Sequence, residues 1–281
     1  MSEAARVIFD ADSTGSWNMA VDQALLMSAE NENRATLRFY GWSEPTLSLG
    51  YFQKHEDRKK HLESAGCSMV RRRSGGGAIM HDQELTYSLA LPSTNRWSKQ
   101  NGQLYDLIHE QIIGVLARNG LVAHLFRDLQ QTLEPVDAAI ASQPLNKDLS
   151  EDLSNDRQEA WPLPFVSSDA FLCFQRRTSG DIVMDGFKVV GSAQRRLKHS
   201  LLQHGSVLLS RSEFARELPG VSDLGGSLKM NRDELARALM VDFESKLNFE
   251  FSGDGLDERE KALAVEIEET VFKCSQWNEK R

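Results

Sequence analysis

Apolar residues recur every three to four positions in several stretches of the chain, and this spacing predicts amphipathic helices. In the first such stretch Met19, Ala24 and Met27 share one face of a helix that Ser16 is expected to cap. In a later stretch Leu104, Ile108 and Ile112 repeat in the same way until Gly120 ends the pattern. The first predicted helix starts after Ser16. Further helices are predicted at 104–118, 232–246 and 258–277, and a charged helix is predicted in the region before Ser64.

Short alternating or continuous apolar runs lie between these helices and predict strands. They fall at 6–9, 35–40, 46–49, 181–184, 187–195 and 201–209. The dipeptide Asp185-Gly186 is typical of a tight hairpin turn between two of them. Because helices and hairpins are interleaved by short connections, we expect an α/β (α+β) fold with a mainly antiparallel or mixed β-sheet flanked by helices.

The segment 70–91, VRRRSGGGAIMHDQELTYSLAL, has the most unusual composition of the chain. Two strands joined by a glycine turn are its simplest interpretation. Gly75, Gly76 and Gly77 can adopt positive φ, so the turn can be sharp and its amides can point at a ligand. The preceding arginines make an anionic group a plausible ligand. An ordinary hairpin turn with solvated basic side chains explains the same residues.

Composition narrows the possible functions. A net charge of −8 argues against general nucleic-acid binding, so the arginine cluster is a local feature. Cys67, Cys173 and Cys274 lie far apart without a CxxC pair, which disfavours a disulfide framework and a metal site and fits a reducing cytoplasm. The N-terminus lacks an export signal, and no apolar run is long enough for membrane insertion.

A polar, acidic stretch at about 128–164 interrupts the pattern and contains few aromatic residues. Such a stretch has too little apolar surface to form a core of its own. We therefore expect a single domain over 1–281 and no second domain. The stretch at 128–164 would be a surface insertion, partly disordered.

Two residues are candidates for chemistry. Cys173 is either a nucleophile or, as is more common for a single cysteine, a small buried apolar residue. Lys188 follows Phe187 and precedes two valines, so its side chain either reaches solvent or is held by an anionic or polar partner. The small residues Gly191, Ser192 and Ala193 allow another group to approach the backbone.

Two histidines are weaker candidates. His81 and Asp82 are adjacent on a predicted strand and so face opposite sides, which favours a structural role for His81 over a catalytic dyad. His204 and Gly205 are expected to line a site, without a role that spacing can assign.

Six motifs, in order, carry a resemblance to a known family: WNMAVDQALL, PTLSLGYFQ, RRRSGGGAIMHDQELTYS, CF, KVVGSAQRR and LQHGSVLL. They resemble the biotin/lipoate protein ligase superfamily and, within it, the cysteine-dependent octanoyltransferases of lipoate assembly. The resemblance implies a single biotin/lipoate-ligase-like catalytic domain with an acyl-binding tunnel. It also implies Cys173 as nucleophile and Lys188 as its catalytic partner. The substrate-binding residues would be Arg72, Ser74, Gly75, Gly76, Gly77, His81, Gly191, Ser192, Ala193, His204 and Gly205.

The resembled enzymes move octanoyl from acyl carrier protein to a lipoyl-domain lysine. The acceptor would be an apo lipoyl domain of a dehydrogenase subunit or a glycine-cleavage H protein, and no cofactor would be needed. Arg71, Arg72, Arg73, Arg195, Arg196 and Lys198 would form a basic rim that attracts these acidic partners.

Two other functions remain open on the sequence. A lipoate–protein ligase would use ATP and magnesium to activate free lipoate, with the arginines and the glycine turn on the phosphates and Cys173 dispensable. A non-catalytic protein would only bind lipoyl domains or a free acyl ligand. The presence of both Cys173 and Lys188 counts against this second alternative.

Overall fold

A computed structural model describes residues 2–130, 170–225 and 228–281 of the chain. Its strands are β1 Glu3–Phe9, β2 Thr36–Tyr40, β3 Thr46–Leu49, β4 Ser68–Arg71, β5 Ile79–His81, β6 Glu84–Pro92, β7 His124–Leu125, β8 Ile182–Met184, β9 Phe187–Arg196, β10 Ser200–Leu208 and β11 Phe249–Gly253. Eight of them form a large sheet in the order β11-β1-β2-β6-β10-β9-β8-β7, and β4-β3-β5 form a small one. In the large sheet β1 pairs in parallel with β2 and β11, and the remaining pairs are antiparallel. The sheet is thus mixed, as predicted.

Helices cover both faces of the large sheet. They are α1 Gly15–Glu32, α2 Arg96–Lys99, α3 Asn101–Arg118, α4 Arg232–Leu247, α5 Glu258–Ile267 and α6 Ser275–Asn278. One buried cluster joins α3 and α4 to the sheet, with Ile108 and Phe243 packed near Leu37. A second cluster joins α1 and α5, with Leu25 and Ile267 among its members. These two apolar layers fix the sheet between the helices, and the predicted α/β class is confirmed.

Three predicted helical features differ from the structure. The cap of α1 is Thr14, whose Oγ1 accepts a hydrogen bond from the N–H of Trp17 at 3.4 Å, so the expected cap Ser16 lies inside the helix. The charged stretch before Ser64 forms only a 3₁₀ turn, His55–Lys60. The long C-terminal helix expected at 258–277 is divided into α5, a π-helical turn at Glu268–Phe272, and α6. A long-range contact lies at the start of the π-helical turn, where Ser16 Oγ donates a hydrogen bond to the Glu268 carboxylate at 2.7 Å.

The glycine segment is not the turn of a hairpin, so that prediction is wrong. β4 precedes the glycines and β5 follows them, but they lie on opposite sides of β3 and do not pair with each other. β3 pairs in parallel with β4 and antiparallel with β5. The glycine segment therefore crosses over the end of β3, whose position between them is a non-local feature that the segment itself does not encode.

The expected hairpin at Asp185-Gly186 is confirmed. β8 and β9 pair antiparallel across this dipeptide, and both turn residues have positive φ, 45° and 78°. The insertion expected at 128–164 lies, apart from its first three residues, outside the described residues. In the described ranges, no helix is long and apolar enough to cross a membrane.

Candidate active site

Two neighbouring elements bring Cys173 and Lys188 together. Cys173 opens a 3₁₀ turn, Cys173–Gln175, whose backbone is held by a hydrogen bond from the Cys173 N–H to the carbonyl of Ala78. Lys188 is the second residue of β9. Its Nζ lies 3.8 Å from the Cys173 Sγ. An ammonium at this distance stabilises negative charge on the sulfur.

A carboxylate holds the lysine in place. Lys188 Nζ is 2.9 Å from Asp181 Oδ2, and both side chains are almost fully buried. The same carboxylate oxygen accepts a hydrogen bond from the N–H of Thr178 at 2.6 Å. Because burying an unpaired ammonium is very unfavourable, Asp181 is what allows Lys188 to remain charged beside the sulfur. Of the two settings considered for Lys188, the structure has the one with an anionic partner.

Glycines leave the space that this arrangement needs. A Cβ on Gly191 would lie 2.5 Å from the Lys188 Cε, and one on Gly77 would lie 3.0 Å from both the Cα and the N of Cys173. Gly76 has a φ of 94°, and a Cβ added to it would lie 3.9 Å from the Cys173 Sγ. Within the described part of the chain, no acceptor is bonded to the N–H groups of Gly75, Gly76 or Gly77. Of the three, Gly75 and Gly76 are accessible, so their amides are available to an oxygen atom near the sulfur, whereas Gly77 is buried against Cys173.

Arg72 is bonded to carbonyls of the glycine segment, and Arg71 is bonded to carbonyls that follow β3. Arg72 donates to the carbonyls of Gly75 at 2.7 Å and Gly77 at 2.6 Å, and burial lowers its pKa to about 10. Arg71 donates to the carbonyls of Gly50 and Gln53. Their guanidinium groups are buried and bonded to backbone oxygens, so the expectation that they face an anion is wrong.

The expected basic rim is also incomplete. Arg71 and Arg72 do not reach the surface, and Arg73 lies with its guanidinium carbon 4.7 Å from the ring centre of Trp277. Arg195 lines a small cavity together with Arg73, and burial and the charge of Arg73 lower the pKa of Arg195 to about 10. The structure thus brings Arg73 and Arg195 together, whereas Arg71 and Arg72 are buried.

A cavity of about 270 Å³ opens beside the cysteine. Eleven of the thirteen residues predicted for the site line it: Arg72, Gly75, Gly76, His81, Cys173, Lys188, Gly191, Ser192, Ala193, His204 and Gly205. The other two do not. Gly77 packs behind Cys173, and Ser74 Oγ bonds to His204 Nε2 at 2.9 Å.

The two histidines of the cavity wall are fixed by buried carboxylates. His81 contacts Glu84 through Nδ1 at 2.8 Å and Ser48 through Nε2 at 2.8 Å, which is the structural role expected for it. His204 Nδ1 lies 3.8 Å from Asp22. Burial alone would raise the pKa of Asp22, but His204 and the buried Arg38 outweigh it and lower that pKa.

Sequence reasoning missed several functional neighbours, above all Asp181 and His109. His109 is fully buried on α3, and its Nε2 lies 2.6 Å from the Ser192 Oγ. Burial lowers its pKa to about 4. The available signal was a histidine next to Ile108 on the apolar face of a helix, where a polar side chain needs a partner. The identity of that partner depends on the tertiary structure.

The remaining cysteines lie apart from this arrangement. Burial raises the pKa of the Cys67 thiol, which makes it a poorer nucleophile, and Cys274 precedes α6. In the described ranges, no three His, Cys, Asp or Glu side chains are placed to hold a metal ion.

Comparison with known proteins places this chain and its fold in one class, that of the lipoyl ligase catalytic domains. Residues 14–238 match the Lipoyl protein ligase A/B catalytic domain family. The chain is 30% identical to octanoyltransferase LipM of Brevibacillus brevis over 94% of both chains, and 29% identical to LipM of Bacillus subtilis over 99% of both. A lipoate protein ligase of Thermoplasma acidophilum, solved with its E2 lipoyl domain, has the same fold, with a TM-score of 0.67 at 20% identity over 99% of this chain and 96% of that one.

The chain therefore belongs to the lipoyl protein ligase A/B catalytic domain family. The resemblance drawn from the six motifs is confirmed at this level.

Proposed function

We propose that this protein is an octanoyltransferase of lipoate assembly that works through an acyl-cysteine intermediate. The observation that carries the proposal is the Cys173 Sγ at 3.8 Å from the Nζ of a buried, ion-paired Lys188, at the wall of a cavity. The names of the full-length relatives agree with octanoyl transfer.

In the first step the Cys173 thiolate attacks the carbonyl carbon of an octanoyl thioester. The C–S bond to the donor breaks, the donor thiol leaves with the proton that Cys173 gave up, and a new thioester forms on the enzyme. Lys188 stabilises the thiolate before attack. We propose that the N–H groups of Gly75 and Gly76, which line the cavity and have no acceptor, bind the oxyanion that develops during attack.

In the second step the amine of an acceptor lysine attacks the acyl-cysteine. The amine loses a proton, an amide forms, and the Cys173 thiol is restored. Exchange of one thioester for another changes the free energy little, whereas the amide is more stable than either. The reaction therefore proceeds without ATP, and we propose that the enzyme needs no cofactor.

The cavity supplies the site for the acyl chain. Burial of an eight-carbon chain contributes about 5 kcal/mol, at roughly 0.8 kcal/mol per methylene group. We propose acyl carrier protein as donor, because it presents octanoate as a thioester. The acceptor we propose is an apo lipoyl domain, of a dehydrogenase subunit or of a glycine-cleavage H protein. The ligase of Thermoplasma acidophilum, which has the same fold and is described together with its E2 lipoyl domain, supports an acceptor of this kind.

An ATP-dependent lipoate–protein ligase is the second candidate, because a ligase has the same fold. Two observations favour the transferase. The guanidinium groups of Arg71 and Arg72 are already bonded to backbone carbonyls instead of facing a phosphate site. An adenylating enzyme also has no use for a cysteine beside a buried lysine. The same pair disfavours a protein that only binds lipoyl domains.

The test is a reaction without ATP. Purified protein is mixed with octanoyl-loaded acyl carrier protein and apo lipoyl domain, and the acceptor mass is measured with time. We expect one octanoyl group on the acceptor. Modification that appears only when ATP, magnesium and free acid are supplied would establish the ligase instead.

A further inference from the structure

Most of the hydroxyl-bearing side chains that line the acyl cavity direct their hydrogens away from it. Tyr40 donates to Asp22 at 3.0 Å. Thr86 and Ser206 both donate to Glu84, at 2.5 and 2.8 Å. Each of these three residues lines the cavity, and both carboxylates are buried. A fourth hydroxyl, on Ser192, is oriented by a neutral acceptor instead.

The direction of the Ser192 hydrogen follows from its neighbours. His109 Nδ1 lies 2.6 Å from the carbonyl oxygen of Gly180, which can only accept, so Nδ1 carries a proton. Burial lowers the pKa of His109 to about 4, so the ring is neutral near pH 7 and its Nε2 has no proton. At 2.6 Å from that Nε2, the Ser192 hydroxyl must donate to His109.

A second contact completes the arrangement. Tyr87 OH lies 2.7 Å from Ser192 Oγ and accepts a hydrogen bond from Gln203 Nε2 at 3.2 Å. Since the hydrogen of Ser192 is used on His109, Tyr87 donates to Ser192. The hydroxyl of Ser192 therefore has no hydrogen to offer to a ligand in the cavity.

This pattern has a consequence for the acyl chain. A methylene chain has no hydrogen-bonding groups, so it loses no hydrogen bonds when it is buried in this cavity. A ketone oxygen on the chain gives up its hydrogen bonds to water and finds no donor in the hydroxyls of Tyr40, Thr86, Ser192 and Ser206, which is unfavourable. The donors that remain belong to residues around Cys173 and the Lys188–Asp181 pair, where they can serve the thioester carbonyl. They are Lys188, the amides of Gly75 and Gly76, and Thr178, whose N–H bonds to Asp181.

We propose that this cavity selects saturated acyl chains against chains of the same length that carry a ketone, and that His109 is the positioning residue that keeps Ser192 from donating. The inference rests on the proposed function and specifies its substrate class. His109 acts through Ser192, because Ser192 lines the cavity whereas His109 lies behind it.

The test compares acyl carrier protein loaded with octanoate and with octanoates that carry a ketone at carbon 4, 5 or 6. With apo lipoyl domain as acceptor, we expect the wild type to transfer the ketone chains with a kcat/KM about 10- to 100-fold lower than octanoate. In His109→Phe, which removes the acceptor of Ser192, we expect the ratio to fall by about tenfold for at least one ketone position. His109→Phe/Ser192→Ala should restore the wild-type ratio, because the freed hydroxyl is then absent.

Tyr87→Phe is the matched control. It breaks the same chain of hydrogen bonds but leaves the Ser192 hydrogen on His109, so the ratio should stay at the wild-type value. If His109→Phe does not fold, Ala193→Ser provides the second variant, because it adds a hydroxyl to the cavity wall, and the ratio should fall.

Three outcomes would overturn the proposal. The first is a wild type that transfers ketone chains as well as octanoate. The second is a folded His109→Phe with the wild-type ratio. The third is a His109→Phe/Ser192→Ala variant whose ratio is as low as that of the single variant. In each of these cases octanoyl transfer itself still stands. A wild type that transfers no octanoate from the carrier would instead remove the proposed function, and this inference with it.

Discussion

At the scale of single residues, the site depends on an ion pair that makes a buried lysine tolerable beside a cysteine. Lys188 has one carboxylate partner at 2.9 Å and one sulfur neighbour at 3.8 Å. The motif resemblance singled out Cys173 and Lys188 from the sequence. Asp181 could not be found in this way, because its role appears only when β8 and β9 fold back against the 3₁₀ turn of Cys173. Asp181 and Lys188 are seven positions apart across the β8–β9 hairpin, whose register shifts between Ile182 and Val183, so spacing alone does not pair them.

The first prediction separates the chemical role of Lys188 from its structural role. Lys188→Ala leaves Asp181 buried without a cation, so we expect a loss of about 3–5 kcal/mol in the free energy of unfolding. We also expect octanoyl-enzyme formation to slow by about 10²- to 10⁴-fold. Lys188→Met/Asp181→Leu removes both charges and should recover much of the stability without recovering the rate.

Urea denaturation and single-turnover acylation measure the two effects. Recovery of the acylation rate in the apolar double variant would mean that Lys188 only supports the fold.

At the scale of elements, local signals predicted local structure well. The Asp185-Gly186 turn was correctly predicted because its φ values belong to those two residues. The glycine segment was misassigned because its strands pair with β3 and not with each other, and nothing within the segment identifies β3 as their neighbour. The arginines next to it were misassigned for the same reason, since their acceptors include the carbonyls of Ser48 and Gly50, which β3 places close to them.

The second prediction concerns the fit of the glycine segment against Cys173. A Cβ on Gly77 would lie 3.0 Å from backbone atoms of Cys173 and from the Phe171 oxygen, so Gly77→Ala must displace the turn that carries the sulfur. The required shift is a few tenths of an ångström, and a shift of about 1 Å at reacting groups lowers activity by about 10²-fold, so we expect kcat/KM to fall by about 10-fold. Gly66→Ala is the control, since nothing lies within 4 Å of its Cβ position, and it should keep wild-type activity. Equal activities in the two variants would show that this fit does not matter.

At the scale of the whole molecule, an acidic chain of net charge −8 is organised around an eight-stranded sheet with an apolar layer on each face. The sequence predicted the fold class, because helix and strand periodicities are properties of each element. The strand order, the parallel pairing of β1 with β11, and the polar contacts in the core depend on which elements meet. His109 is such a contact, since it is a fully buried histidine whose neutral form the fold requires.

The third prediction is a pH dependence of stability that originates at His109. Its pKa is about 4 in the folded protein and about 6.5 when unfolded, so between these values the unfolded chain binds a proton that the folded one does not. The stability contribution is therefore complete above about pH 6.5 and declines as the pH falls toward 4, by about 3 kcal/mol. Urea unfolding between pH 4 and 7 measures it.

His109→Phe should lose this component of the slope, most clearly between pH 5.5 and 6.5, where carboxylates contribute little. A variant with the same slope as the wild type in that interval would show that another group is responsible.

Intact-protein mass spectrometry shows whether Cys173 carries the octanoyl group. The protein is incubated with octanoyl-loaded carrier, without acceptor and without ATP. We expect one added octanoyl mass that hydroxylamine removes, as it does for a thioester. The mass should be absent in Cys173→Ser and present in Cys67→Ser and Cys274→Ser. A mass located on Cys67 or Cys274, or full acyl transfer by Cys173→Ser, would contradict it.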